Sequence, residues 1–158
     1  MTIYLDTCAL NRLTDDHSQL RIRLEAEAMV RILDLVAAGR LFWSASTILQ
    51  FEINRNSDPI RRIDTLKLLS NASEILAPTP NAIQRATDLI SDGLTFLDAL
   101  HLALAEARGI DWLITTDDRL LKQARTRLQI NRPEVVNPVD WIERRYPWLL
   151  PNPPSSAT

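Results

Sequence analysis

Short apolar runs and longer helix-periodic stretches follow one another along the chain. Thr2 to Leu5 is apolar, partly β-branched and stops at Asp6, which predicts a buried strand. From about Gln19 to Ala38, the residues Leu20, Leu24, Ala28, Ile32 and Leu35 recur at helical spacing, and Gly39 stops the helix. Arg40 to Ser44 predicts a second strand. Ser46 then caps a helix running to about Asn54, and Pro59 opens another that ends near Asn71. Ile75 and Leu76 form a brief strand before Pro78 and Pro80. Helices follow over Asn81 to Ser91 and Phe96 to Arg108, with Gly109 as the stop. Trp112 to Thr115 reads as a strand, about Arg119 to Leu128 as a helix, and Val135 and Val136 as a last short strand.

Strands that alternate with helices call for a parallel sheet covered on both faces, so the expected class is α/β, a three-layer α/β/α sandwich with a short central parallel sheet. With 158 residues, no internal repeat, 46% hydrophobic residues and only three glycines, the chain is expected to form one packed domain over residues 1–148. Residues 149–158, rich in Pro and Ser, are expected to be a disordered tail. No apolar run approaches the ~20 residues of a membrane span, and Met1 to Asp6 does not read as a signal peptide. The single cysteine, Cys8, excludes an internal disulfide framework, and a cytoplasmic protein with no membrane partner is the expectation.

A net charge of −2 argues against a protein that coats nucleic acid by general electrostatics. It leaves room for a nuclease, because metal-binding acids lower the total while a bound cation reverses the local sign. All but two of the 18 basic residues, Lys67 and Lys122, are arginines, whose planar fork suits phosphate.

Four acids stand at the ends of elements. Asp6 follows the first strand, at the carboxyl end where ligands of such sheets sit, although an aspartate there also serves as a turn residue. Glu52 shares a helical face with Ala45, Ile48 and Leu49; a carboxylate on an apolar face is costly to bury unless paired or metal-bound, and the plain alternative is a glutamate reaching water at the rim. Asp98 stands in Thr95-x-x-Asp98, a capping-box pattern, but it opens a helix that is apolar on nearly every side. Asp117 and Asp118 follow the strand ending at Thr115; one of them is expected to cap the next helix, leaving the other free.

Taken together, Tyr4-Leu5-Asp6-Thr7, the Ser46-to-Glu52 segment, Leu97-Asp98-Ala99-Leu100-His101-Leu102-Ala103 and Leu113-Ile114-Thr115-Thr116-Asp117-Asp118-Arg119-Leu120-Leu121 resemble the successive motifs of the PIN domain, in that family's order and approximate spacing. The resemblance implies a PIN-like fold and a Mg²⁺- or Mn²⁺-dependent endoribonuclease, in which Asp6, Glu52, Asp98 and Asp117 form an acidic metal pocket. Asp6 and Asp98 would be central ligands, with Glu52 and Asp117 outer ligands or holders of the attacking water. Thr7, Ser46 and Thr115 would support them, and Arg12 and Arg119 could reach substrate phosphate. RNA as substrate, a homodimer and, if the chain is a VapC-type toxin, an antitoxin partner follow from the same resemblance.

One departure stands out: Cys8 occupies a place where many members have Asn, and a thiol suits a hard cation poorly, so Cys8 reads as packing. Asp117 rather than Asp118 is the expected pocket acid, because the family's acid directly follows Thr-Thr. Other readings are a catalytically silent PIN-fold module that binds RNA or protein, or a metal-dependent phosphatase. The haloacid-dehalogenase phosphatases are disfavoured because Cys8 stands where their second Asp falls. A dinucleotide fold is excluded by the lack of Gly-x-Gly-x-x-Gly. His17 and His101 show no zinc-ligand arrangement, and His101 reads as a core or supporting histidine.

Overall fold

In the computed structural model, which describes residues 1–128 and 130–149, five short strands form one parallel sheet. In chain order the elements are β1 (Thr2–Leu5), α1 (Thr7–Asn11), α2 (Leu20–Ala37), β2 (Phe42–Ser46), α3 (Thr47–Asn54), α4 (Pro59–Leu69) and β3 (Glu74–Leu76). They continue with α5 (Pro80–Ser91), α6 (Phe96–Arg108), β4 (Trp112–Ile114), α7 (Asp118–Thr126), β5 (Glu134–Val136), α8 (Pro138–Arg145) and a single 3₁₀ turn at Pro147–Leu149. The sheet order is β3-β2-β1-β4-β5. Growth from β1 therefore runs one way through β2 and β3, then crosses over to β4 and β5. The gap between the carboxyl ends of β1 and β4 is the switch point at which such sheets leave a crevice.

The pleat divides the core into two layers. Ile3 and Leu5 of β1, Trp43 and Ala45 of β2 and Ile114 of β4 pack against α1, α2, α3 and α8. Tyr4, Leu113 and Val135 point the opposite way, onto α5, α6 and α7. This period-two alternation makes the three-layer α/β/α sandwich. Among the described residues, no helix is long and apolar enough to cross a membrane.

Most boundaries fall where the sequence puts them, and the differences have local causes. β2 begins at Phe42, two residues later than the Arg40 start read from the sequence, because Gly39 and Arg40 close α2 through bonds from their N–H groups to Val36 and Leu35. Helix α7 begins at Asp118, not Arg119, since β4 ends at Ile114. Helix α8 was not anticipated, although Asn137-Pro138 carries its signal: the Asn137 side chain caps Val139 N–H and Pro138 takes the first turn. Of the expected tail, Leu149 lies in the 3₁₀ turn, and 150–158 lie outside the described residues.

Candidate active site

Each strand end at the switch point hands an acid to the crevice. Asp6 stands at the N-cap of α1, but its carboxylate makes no capping bond and is left for other partners. Its backbone N–H continues the sheet to Ile114 O at 3.0 Å, which holds the residue against the end of β4. Thr115 Oγ1 donates to Asp6 Oδ2 at 2.7 Å and accepts from Asp117 N–H at 3.1 Å, so one hydroxyl ties the two strand ends together. Asp6 is only 3% exposed, and among the described residues Thr115 is the one hydrogen-bond donor to its carboxylate.

Glu52 reaches the same place from α3. Its Oε2 accepts from Thr7 Oγ1 at 2.5 Å and meets His101 Nε2 at 2.5 Å; the other ring nitrogen of His101 lies 2.6 Å from Tyr4 Oη, which lies 2.5 Å from Ser46 Oγ. Asp6, Glu52 and His101 each bring a ligand-type atom within 4.8 Å of the others. His101, read from the sequence as a core or supporting histidine, is 1% exposed and bonded to Glu52. Its signal was present: a histidine one turn after Asp98 on a helix that is otherwise apolar needs a buried partner.

Asp98 sits at the third position of α6, where Thr95 Oγ1 donates to its Oδ2 at 2.5 Å and accepts from its N–H at 3.3 Å. The capping box therefore exists, and the same carboxylate also feels the pocket. Asp117 caps α7 through Oδ1, accepting from Arg119 and Leu120 N–H at 2.8 and 3.2 Å. Of the two adjacent acids, the one expected in the pocket is thus also the helix cap. Asp118 is exposed and holds Arg21 through two bonds of 2.7 Å.

The electrostatics describe an anionic cavity. Burial drives the Asp6 carboxyl above its ordinary value, opposed by the positive side of His101 and the Thr115 bond and reinforced by Glu52 and Asp98. Burial likewise raises Asp98, with the charge of Asp117 adding to it despite the Thr95 bond. Burial alone would raise Glu52, but the His101 bond and charge, with Thr7, bring it below the usual range. Burial would depress His101, yet Glu52 and Asp6 hold it above its usual value. Cys8 is exposed, which corrects its reading as a packing residue; partial burial of its sulfur and the charges of Asp6, Asp117, Glu52 and Asp98 push the thiol well above its ordinary value.

A groove of about 340 Å³ with mixed polar and apolar walls opens beside Glu52, where Thr7, Asn11, Arg55, Asn56 and Leu97 are among its lining. A larger groove of about 760 Å³ between α2, α7 and α8 is mainly apolar and none of the four acids lines it, so chemistry and not size selects the site. Arg12 does not serve the pocket: it donates to Glu25 at 2.6 Å and Asp15 at 2.7 Å. Arg119 is exposed on α7 and makes no ion pair among the described residues.

This order of acids on this sheet agrees with one comparison above all: the PIN domain profile matches residues 3–126. The chain belongs to the PIN domain family. Among curated proteins, no sequence matches it. Among solved structures, this PIN domain is similar in fold to Mycobacterium tuberculosis VapC20, described as a sarcin-ricin loop cleaving toxin, with 17% identity and a TM-score of 0.57 over 82% of this chain and 99% of that one. VapBC2 from Rickettsia felis, solved bound to a DNA fragment from its promoter, gives 18% identity and a TM-score of 0.59 over 87% and 98%. PAE2754 from Pyrobaculum aerophilum gives 18% and 0.54 over 91% and 97%. At such identities the likeness is one of fold.

Proposed function

We propose that this PIN domain is a divalent-cation-dependent endoribonuclease that hydrolyses phosphodiester bonds at the crevice between β1 and β4. The observation that carries the reading is Asp6: a carboxylate with 3% exposure, one donor and acidic neighbours is an electrostatic debt that a cation would settle. The donor set fits a hard ion, since carboxylate oxygens dominate it, and Mg²⁺ or Mn²⁺ needs only a few of them beside water and substrate phosphate. Asp6, Glu52, Asp98 and Asp117 would hold the ion, with Asp6 at the centre. When bound, it supplies an acidified water and neutralises charge developing on the phosphoryl oxygens.

The chain's own residues do the remaining work. Thr115 orients Asp6, and Thr7 and His101 orient Glu52, so neither carboxylate swings freely. Glu52 or Asp117 can accept a proton from water at the crevice. The exposed backbone of a single strand or loop could reach the groove beside Glu52 more easily than a stacked duplex. The fold shared with VapC20 and with the toxin–antitoxin pair VapBC2 supports reading the chain as the toxin of such a pair, with an antitoxin protein as partner. A homodimer is the assembly we propose, since Phe51 of α3 and Ile60 and Ile63 of α4 leave apolar surface exposed.

The test is incubation with structured and unstructured RNAs, with and without EDTA. Cleavage should need Mg²⁺ or Mn²⁺ and vanish in Asp98→Ala. Activity that survives EDTA or that variant contradicts the reading, and turnover of a chromogenic phosphomonoester with RNA left intact would mark a phosphatase instead.

A further inference from the structure

The hydrogen bonds behind Glu52 have one consistent direction. Leu49 N–H can only donate, so Ser46 Oγ accepts from it at 3.1 Å and has its own proton left for Tyr4 Oη. The Tyr4 proton then goes to His101 Nδ1. The acids favour a second ring proton in the cation-free pocket, but with a cation offsetting their charge an imidazole that accepts at Nδ1 carries its one proton on Nε2, which faces Glu52 Oε2, and an ionised carboxylate can only accept. Run backwards, the chain leaves the fully buried Ser46 hydroxyl proton without an acceptor among the described residues. A neutral ring would then also turn its Nε2 lone pair onto a carboxylate.

Oε2 of Glu52 is in addition the atom that Thr7 Oγ1 bonds. Two donors, one from α1 and one from α6, thus converge on a single oxygen, and Oε1 receives none among the described residues. Both donors are themselves placed by the fold: Thr7 opens α1 directly after Asp6, and His101 is 1% exposed on the core helix α6.

We propose that Ser46, Tyr4 and His101 form a positioning relay that holds His101 as its Nε2–H tautomer and presents Glu52 to the cation through Oε1 alone, so that His101 supports a ligand and is not itself one. The proposal rests on the cation-binding reading above and assigns three residues a role within it. Its energetic sense is that of an outer hydrogen bond to a metal-ligating carboxylate, whose loss typically weakens metal binding ~10–100-fold.

Two measurements on the full chain test it. In long-range ¹H–¹⁵N spectra of the Mg²⁺-loaded protein, His101 should show a protonated Nε2 and an accepting Nδ1. A proton on Nδ1, with or without one on Nε2, overturns the direction; loss of the Nε2 proton on adding Mg²⁺ makes His101 a ligand and overturns the role. Calorimetric titration with Mn²⁺ should show about tenfold weaker binding in Tyr4→Phe and in His101→Ala. His101→Gln, whose side-chain N–H can reach Glu52, should recover part of that loss. Unchanged affinity in Tyr4→Phe overturns the relay while leaving the cation site standing, whereas a wild-type protein that binds no cation overturns the reading beneath it. Should His101→Ala fail to fold, Tyr4→Phe and the wild-type spectra still decide.

Discussion

Glu25 and Asp6 are almost equally buried, at 1% and 3% exposure, and the protein treats them in opposite ways. Glu25 of α2 is surrounded by donors: Arg12 at 2.6 Å, Arg21 at 3.0 Å and Asn137 at 2.8 Å. Those bonds join the segment after α1, the first turn of α2 and the cap of α8, so the carboxylate works as a rivet. Asp6 has a hydroxyl, an imidazole 3.9 Å away and more acids. A buried charge that the fold neutralises serves the structure; one that the fold leaves in deficit is what the proposed cation site would use.

The largest effect that would break this comparison comes from the neutralised side. Glu25→Ala leaves two guanidinium groups and an amide without their acceptor and should cost about 3 kcal/mol. We place it at the low end for a broken buried pair because Arg21 is half exposed and keeps Asp118. Denaturant titration would measure it, and a loss under 1 kcal/mol would mean the rivet is ornamental.

Asp6→Asn should act the other way. Its carboxyl titrates above the ordinary 3.8 in the folded protein, so ionisation penalises the folded state once pH exceeds that range. The metal-free variant should therefore be more stable than wild type at pH 7 and melt at a higher temperature. The advantage should shrink as pH falls through the raised carboxylate range and disappear below 3.8, where both folded and unfolded wild type are protonated. Equal melting at pH 7 would show that Asp6 carries no deficit.

The smallest effect separates two neighbours. Asp117→Asn keeps the cap of α7, because Asn caps as well as Asp, and should depress cleavage with little change in melting. Asp118→Asn loses only an exposed pair with Arg21 and should stay within about 0.5 kcal/mol and near wild-type cleavage. The reverse pattern in cleavage would move the fourth acid to Asp118.

What the sequence made legible follows from how local each signal is. Strand β1, helix α6 and its Gly109 stop have unbroken patterns and were placed to the residue. Asp6, Asp98 and Asp117 stand out because each follows a strand or opens a helix, and Glu52 because it shares an apolar helical face; both are one-dimensional properties. Helix α8 was passed over because its apolar residues, Val139, Trp141 and Ile142, are few and arrive after a short strand, although its cap and proline were visible. The bonds of Arg12 to Glu25 and of His101 to Glu52 span 13 and 49 residues, and no periodicity reports them. For the same reason the neutralised carboxylate could not be told from the deficient one before the fold was known.

On the proposed function, the crevice between β1 and β4 is short of positive charge until a divalent cation enters. Calorimetric titration of the metal-free protein with Mg²⁺ and then Mn²⁺ tests it most directly, with Asp6→Asn and Asp98→Asn alongside. Weak saturable binding to the wild type, abolished by both substitutions, is the expected result. Equal heats in all three proteins, or none in the wild type, would contradict it.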